Sequence, residues 1–226
     1  MFSEVRKVDV KDCRKILYPL EKPLLKTFGR ERLEETAFPV YFNRFFPAAY
    51  LGWSRIRKAQ TLLSQSRDFN AALDFGSGLG VMLPYLVSHY SKVVAVDLDP
   101  DITRFIIDKL SFNSVELVKN ISDSATKSFD VIVALDVLEH VDDLNAVFKS
   151  FDLVTGDDGI WIISGPTENG LYRMTRKIAG TTGEGHARNI YDVFKAVPGH
   201  MICENIYRLP FGIPLFLIAR FRKSRI

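Results

Sequence analysis

Three glycines between residues 74 and 80 have the spacing of a backbone ligand site. The segment Asp74-Phe-Gly-Ser-Gly-Leu-Gly80 carries a glycine at every second position between two apolar runs. Glycine has no side chain, so a ligand can approach the main chain, and the amides at a helix N-terminus can face it. No Gly-Lys-Ser/Thr follows, which excludes a P-loop phosphate site. The segment therefore predicts close contact between a ligand and the backbone.

A dinucleotide-binding loop is one alternative for this segment. That fingerprint requires G-x-G-x-x-G/A, with two glycines followed by a third small residue. Gly76 and Gly78 fit the pattern, but Val81 stands at its last position and Gly80 comes one residue early. The displacement argues against an NAD(P)-dependent oxidoreductase, which stays open as an alternative.

Short apolar runs alternate with stretches of helix length between residues 71 and 164. The runs are AALDF, VVAVD, VELV, FDVIVAL and GIWIIS. Runs that are apolar at successive positions suit strands covered on both faces, and the alternation suits βαβ units. MICENIYRLP and PLFLIARFR follow as a closing antiparallel pair. We predict an α/β fold with a doubly wound, mostly parallel seven-stranded sheet, an antiparallel C-terminal strand and helices on both faces.

Two helix starts follow from the same pattern. The glycine turn leads into a helix that is predicted to begin near Leu79, and a second helix is predicted near Pro100. Asp99 is better placed than Asp97 to cap the second helix, because an acidic N-cap directly precedes the first helical residue. That assignment leaves Asp97 available to a ligand.

Composition limits the class of protein. The 226 residues are 47% hydrophobic and 25% charged, which is typical of one sizeable core. A net charge of +3 is too small to indicate a nucleic-acid partner. Cys13 and Cys203 have no metal-ligand spacing, so no metal site is expected, and free thiols favour a cytoplasmic location. The apolar run 209–219 is too short to span a bilayer.

Residues 1–66 differ in pattern from residues 67–226 and are predicted to form an N-terminal helical extension. Apolar and basic residues recur at near-helical spacing there, and Pro19 and Pro23 interrupt a single helix. The extension is interpreted as a lid over the site, as a face for a membrane surface, or as plain packing of helices on the sheet. The main domain is predicted to be one compact unit.

Four motifs in order resemble those of class I S-adenosylmethionine-dependent methyltransferases, in the branch that acts on small molecules. They are the D-x-G-x-G-x-G loop at 74–80, the acidic end of VVAVD, the LEH-containing FDVIVALDVLEHVDDL, and GIWIISGP. The resemblance covers about residues 70–165 most strongly. It implies a Rossmann-like fold, S-adenosylmethionine as the cofactor and a methyl transfer reaction.

The resemblance also implies which residues contact the cofactor. Asp97, at the end of the second predicted strand, is placed to accept hydrogen bonds from both ribose hydroxyls. Asp74 is implied to position the methionine end, together with the glycines of the loop. The other implied contacts are Asn120, Ile121 and Ser122 for the adenine and Asp136 for the methionine portion.

Acceptor residues are expected after the fourth and fifth strands. His140 and His186 are the candidate bases, because a neutral imidazole can take the proton of a hydroxyl acceptor. The candidate substrate contacts are Glu139, Tyr172, Arg173 and Arg176. The two arginines would suit an anionic group such as phosphate or carboxylate.

The sequence thus predicts methyl transfer to a small molecule by in-line displacement. A lipid-linked or isoprenoid-like acceptor, reached through peripheral membrane contact, is a narrower hypothesis. A methyltransferase of nucleic-acid bases is disfavoured, since ALDVLEHV stands where an Asn/Asp-Pro-Pro-Tyr/Phe motif is expected. A non-catalytic binding module with the same fold is the remaining alternative, and the oligomeric state is left open.

Overall fold

The computed structural model describes residues 7–34, 36, 38–42, 46–65, 70–167 and 188–224. The chain divides into two compact units, Met1–Lys127 and Ser128–Ile226. The first contributes strands in the order β3-β2-β1 and the second strands in the order β4-β5-β7-β6 to a seven-stranded sheet. The helices and strands within these described ranges are numbered in chain order.

The first unit begins with helices and continues with alternating strands and helices. Its elements are α1 (Val10–Leu17), a 3-10 turn (Tyr18–Leu20), α2 (Glu21–Glu34), α3 (Phe38–Phe42), α4 (Phe46–Leu63), β1 (Ala71–Phe75), α5 (Leu83–His89), β2 (Lys92–Val96), α6 (Asp101–Leu110), β3 (Val115–Val118) and a 3-10 turn (Ile121–Asp123). Strands β1 and β2 are parallel, as are β2 and β3.

The second unit contains four strands and two described helices. Its elements are β4 (Phe129–Leu135), a 3-10 turn (Leu138–His140), α7 (Leu144–Val154), β5 (Thr155–Pro166), α8 (Ile190–Ala196), β6 (Met201–Leu209) and β7 (Phe216–Lys223). Strand β5 is parallel to β4, whereas β7 is antiparallel to both β5 and β6. One strand thus runs against the others of its unit, which confirms the predicted antiparallel C-terminal strand.

Strands β1, β2, β4, β5 and β7 are largely buried because their apolar runs are covered on both faces, whereas β3 is half-buried and β6 is mostly exposed. Ala72, Leu73 and Ala95 in the first unit are inaccessible to solvent or nearly so, and so are Val133 and Ile162 in the second. Burial at successive positions is what distinguishes these strands from those of a half-exposed sheet. The predicted α/β fold class is confirmed.

The N-terminal helices pack against the helices of the first unit. The Gln60 amide contacts the buried Cys13 sulfur at 3.4 Å, and the rings of Phe28 and Phe105 meet edge to face. Pro19 lies in the 3-10 turn that separates α1 from α2, as predicted, but Pro23 is accommodated in the first turn of α2. The further break in α2 is at Gly29, where φ is +75°. The predicted boundary after residue 66 stays a prediction.

Candidate functional site

The glycine loop links β1 to α5 through a backbone that only glycine adopts readily. Its three glycines have φ values of +71°, +48° and +58° at positions 76, 78 and 80. The amides of Gly76 and Ser77 donate to the carbonyl oxygen of Val96, at 2.8 and 3.1 Å. Because this left-handed backbone interrupts the right-handed turns, α5 begins at Leu83, and the predicted start near Leu79 is wrong.

The glycines at positions 78 and 80 face different surroundings. A Cβ atom built on Gly80 would lie 2.9 Å from Leu83 Cδ1, so this glycine serves the packing of the loop on α5. A Cβ atom on Gly78 would meet nothing nearer than the carbonyl oxygen of Gly76 at 4.0 Å. The side of the loop at Gly78 is therefore open to an approaching ligand.

Asp97 is joined to this loop by its carboxylate. Gly78 N–H donates to Oδ2 at 2.7 Å, and Asp99 N–H donates to Oδ1 at 3.0 Å. Partial burial raises the pKa of the Asp97 carboxyl, against the lowering effect of these two backbone donors. The carboxylate thus stands at the loop with its remaining lone pairs available to hydroxyl donors.

The predicted cap of α6 is wrong. That helix begins at Asp101 without a side-chain cap. Asp99 instead accepts from the Arg32 guanidinium at 2.7 and 2.8 Å, and Asp101 accepts from the same group at 3.0 Å. A cation from α2 therefore competes successfully with the helix amides for the Asp99 carboxylate.

Asp74 is a buried carboxyl on β1. Only 5% of the residue is exposed, and its neighbour in the β2 register is Ala95. Burial, and to a smaller extent the charge of Asp97, raises the pKa of the Asp74 carboxyl to about 7. A group in this state changes its charge near neutral pH, and a cationic ligand would favour the ionised form.

Two further residues hold the glycine loop and were not predicted from the sequence. Thr103, on α6, is fully buried, and its Oγ1 donates to the Gly78 carbonyl oxygen at 2.7 Å. Ser77 Oγ lies 3.0 Å from the same hydroxyl. The sequence shows only that Thr103 lies between the apolar residues Ile102 and Ile106 of α6, which indicates a buried hydroxyl but not its partner.

The adenine candidates lie in the turn after β3. Ile121 is buried, whereas Asn120 and Ser122 are exposed and turn their side chains towards Asp123, at 3.2 and 3.4 Å. Leu98, which the sequence did not single out, is 82% exposed directly after Asp97. An apolar side chain so exposed beside a carboxylate is suited to cover the face of a flat ring.

Asp136 follows β4 in a left-handed conformation, with φ at +54°. Its N–H donates to the Ser164 carbonyl oxygen at 3.0 Å, and Ser164 Oγ donates to Asp136 Oδ1 at 3.0 Å. The buried Ser164 lies on β5, opposite the end of β4. This pair of bonds fixes the carboxylate at the carboxyl end of the two strands.

The LEH motif forms the 3-10 turn after Asp136. Glu139 is only 2% exposed, and a Cβ atom on Gly165 would lie 3.5 Å from its Oε2. His140 is exposed, and partial desolvation lowers the pKa of its imidazole while the Asp136 charge opposes that shift. The imidazole is therefore neutral at physiological pH and able to accept a proton.

The other predicted acceptor residues, Tyr172, Arg173, Arg176 and His186, lie outside the described residues. Next to that segment, Arg188 Nη2 donates to the Asp142 carbonyl oxygen at 2.7 Å, and Nη1 donates to the carbonyl oxygen of Val141. These bonds anchor the start of α8 to the loop after the LEH turn. Within the described ranges, no three His, Cys, Asp or Glu side chains are grouped to hold a metal ion.

A family model described as "Methyltransferase domain" matches residues 50–194. No curated protein matches the sequence. The fold is similar to that of the N-methyltransferase NodS from Bradyrhizobium japonicum in complex with S-adenosyl-L-homocysteine, with 15% identity over 92% of this chain and 98% of that chain and a TM-score of 0.61.

Two other solved structures share the fold. A protein of Pyrococcus horikoshii covers 86% of this chain and 99% of its own length at 17% identity, with a TM-score of 0.64. A TehB-like SAM-dependent methyltransferase from Corynebacterium glutamicum matches 74% of this chain and 87% of its own length at 21% identity, with a TM-score of 0.56.

Proposed function

We propose that this chain, which belongs to the methyltransferase domain family and is an S-adenosylmethionine-dependent methyltransferase, transfers the methyl group to a small-molecule acceptor. The observation that carries the cofactor site is the 2.7 Å bond from Gly78 N–H to Asp97 Oδ2. It joins an open backbone loop to a carboxylate with free lone pairs. An adenosine group suits such a site, because its flat base can lie close to the backbone and its ribose carries two hydroxyls that can donate to the carboxylate.

Residues of the first unit are proposed to hold the adenosine part of the cofactor. Asp97 is proposed to accept from the ribose hydroxyls, with Gly76, Gly78 and Gly80 giving the ligand room at the main chain. Leu98 is proposed to cover one face of the adenine, because its exposed side chain directly follows the ribose acceptor. Asn120, Ile121 and Ser122 are proposed for the adenine edge.

The methionine end carries an ammonium group and a sulfonium, and both are cationic. Asp74 and Asp136 are proposed to face this end. A positive ligand charge would stabilise the ionised form of Asp74, whose pKa burial raises to about 7. Asp136 is held ready by Ser164, so its carboxylate loses little freedom when a ligand binds.

When bound, S-adenosylmethionine supplies an electrophilic methyl group, so the protein needs chiefly to align the acceptor and exclude water. His140 is the proposed base for a hydroxyl acceptor, because its lowered pKa keeps the ring neutral. His186 is the second candidate. An amine or thiolate nucleophile would need neither histidine as a base.

A small-molecule acceptor is supported by what the sequence carries after β4. LEH follows that strand in place of a base-methyltransferase motif. Glu139, Tyr172, Arg173 and Arg176 are proposed on the acceptor side, where the arginines would suit a phosphate or carboxylate. A lipid-linked acceptor is the narrower proposal.

The N-terminal helices are proposed as a cover for the cofactor site of their own unit. Arg32 of α2 is bonded to Asp99, two residues beyond Asp97. A segment tied so near the proposed ribose acceptor could regulate entry of the cofactor. The division into residues 1–66 as the cover and 67–226 as the domain that it covers is part of this proposal. No helix among the described residues combines the length and the apolar character needed to cross a bilayer.

Methyl transfer to an unidentified acceptor is tested with S-adenosylmethionine labelled in the methyl group. The enzyme is incubated with a cell extract separated into protein, nucleic-acid, lipid and small polar fractions. Label in the lipid or small polar fraction, absent with Asp97→Asn, supports the proposal. Label confined to protein or nucleic acid would contradict it.

A further inference from the structure

The hairpin that joins β6 to β7 ends in an exposed apolar tip. This tip, residues 210–214, has the sequence Pro-Phe-Gly-Ile-Pro, and the run 209–218 contains no charged or hydrogen-bonding side chain. Phe211 is 83% exposed and Ile213 is 43% exposed. Single exposed apolar residues are common on proteins, but a protruding phenyl ring beside an isoleucine is a feature of interaction sites.

The backbone conformation of the tip disfavours a phenylalanine at position 211. The Ile213 N–H donates to the Pro210 carbonyl oxygen at 2.7 Å and closes a turn whose central residues, Phe211 and Gly212, have φ values of +48° and +82°. Two positive φ values are the pattern of a type I′ turn, in which asparagine or glycine is preferred at the first position. A bulky residue there is strained, and burial does not offset the strain because Phe211 is exposed.

The tip lies at the edge of the sheet that carries Asp136. Strand β7 begins at Phe216 opposite Pro166, the last residue of β5, and Thr167 N–H donates to the Leu215 carbonyl oxygen at 3.0 Å. Asp136 is bonded to Ser164 on the same strand, two residues before Pro166. The apolar tip joins the carboxyl end of β6 to the start of β7, and it therefore lies at the same end of the strands as the proposed methionine contact after β4, within one unit.

One basic residue lies next to the tip. Between residues 205 and 219 the only charged side chain in the sequence is Arg208, whereas Arg220, Arg222 and Lys223 lie towards the opposite end of β7, where Lys223 pairs with Asp152. Arg220 and Arg222 both pair with Glu204, whereas the exposed Arg208 immediately precedes the last residue of β6. Ile206, two positions earlier on the same face, is 54% exposed. Apolar side chains bordered by a cation match the interior and the surface of an anionic bilayer.

We propose that the 210–214 tip inserts into an anionic lipid surface and holds the carboxyl edge of β4 and β5 against it. Phe211 and Ile213 would enter the acyl region, while Arg208 would stay at the headgroups. If the proposed methyl transfer holds, an acceptor with an apolar tail could reach the site without leaving the membrane. That last step alone depends on the proposed function.

Vesicle binding tests the insertion without any cofactor. The wild-type protein is sedimented with vesicles of phosphatidylcholine alone and of phosphatidylcholine with phosphatidylglycerol, and binding to the mixed vesicles is expected. Phe211→Asn is the decisive variant, because asparagine suits the turn better than phenylalanine does. We expect its melting temperature to rise or stay unchanged while its partition to vesicles falls by about tenfold, the order for a phenyl ring removed from an apolar phase.

Leu153→Ser is the matched control, since Leu153 is 76% exposed on α7 and its neighbour Asp152 pairs with Lys223, at the end of β7 opposite the tip. Its vesicle binding should equal that of the wild type. Arg208→Gln should weaken binding to the anionic vesicles only. A wild-type protein that stays in the supernatant would overturn the proposal, and so would equal partition of Phe211→Asn. Dimers that disappear in Phe211→Asn, without vesicle binding, would assign the tip to a second copy instead.

Discussion

The hydroxyl of Thr103 donates a 2.7 Å hydrogen bond to the carbonyl oxygen of Gly78, whose own amide donates 2.7 Å to Asp97. The peptide groups on the two sides of Gly78 are thus fixed, one by the buried Thr103 side chain and the other by the half-buried Asp97 side chain. The loop is set before any ligand arrives, and a ligand that contacts it loses little free energy in ordering it.

Thr103→Val is predicted to loosen the glycine loop. Valine keeps the shape but removes the donor, which should lower the free energy of unfolding by about 1–2 kcal/mol and the affinity for S-adenosylmethionine by roughly tenfold. Thr103→Ser keeps the hydroxyl and should recover most of the affinity. Titration calorimetry and thermal unfolding of both variants check this. Equal affinity of the valine and serine variants would show that the bond to Gly78 does not position the site.

Asp97→Asn is predicted to weaken cofactor binding by about 1–3 kcal/mol. Whichever way the new amide is oriented, one of the N–H groups of Gly78 and Asp99 loses its acceptor, and the ribose hydroxyls lose a charged one. Asp108→Asn, at an exposed position on α6, is the control. Calorimetry at constant pH measures both. A folded Asp97→Asn protein with unchanged affinity would remove this residue from the site.

Gly78→Ala and Gly29→Ala form a matched pair. Both positions have positive φ, and a Cβ atom at either meets no atom closer than 4.0 Å. Each alanine should therefore cost about 1–2 kcal/mol of stability through the backbone. Only Gly78→Ala should abolish detectable binding of S-adenosylmethionine, because its methyl group occupies the open side of the loop. Similar affinities in the two variants would argue that no ligand approaches Gly78.

Asp74→Asn is predicted to stabilise the unliganded protein in a pH-dependent way. The folded-state pKa of about 7 lies above the unfolded value of 3.8, so the folded protein holds the proton longer. Stability from this group is present at low pH and declines as the pH rises through the interval to about 7. The variant lacks that decline, so its advantage should grow from near zero at pH 4 to about 2–4 kcal/mol at pH 8.

Denaturant unfolding at pH 4, 6 and 8 measures this difference, with Asp130→Asn on β4 as a comparison. The same Asp74 variant should bind S-adenosylmethionine more weakly, because a neutral amide replaces the carboxylate proposed to face the cationic end. A constant stability difference across the three pH values would show that Asp74 is ionised throughout.

The sequence predicts the strands better than the loops. AALDF and FDVIVAL correspond to β1 and β4 residue for residue, since an apolar run buried on both faces has one stable interpretation in an α/β chain. The sequence predicts the start of α5 four residues early, because positive φ at Gly80 depends on how the loop packs against Leu83. Such packing is a tertiary property that composition does not encode.

In the candidate site, too, the sequence predicts some residues and not others. Acidic residues at strand ends are visible in sequence, so Asp74, Asp97 and Asp136 could be proposed from their positions alone. The supporting partners Thr103 and Ser164 could not, because each acts through a bond to a residue 25 or 28 positions away. The position of Asp99 before α6 predicts a helix cap, and its actual partner, Arg32, is 67 positions away and has no signal in the sequence near Asp99.

The central claim is that the open loop and Asp97 bind S-adenosylmethionine, and titration calorimetry tests it most directly. The purified protein is titrated in parallel with S-adenosylmethionine, S-adenosyl-L-homocysteine and NADH. Binding of the first two in the micromolar range, with none for NADH, is the predicted result. Binding of NADH alone, or no heat with any of the three, would contradict the account.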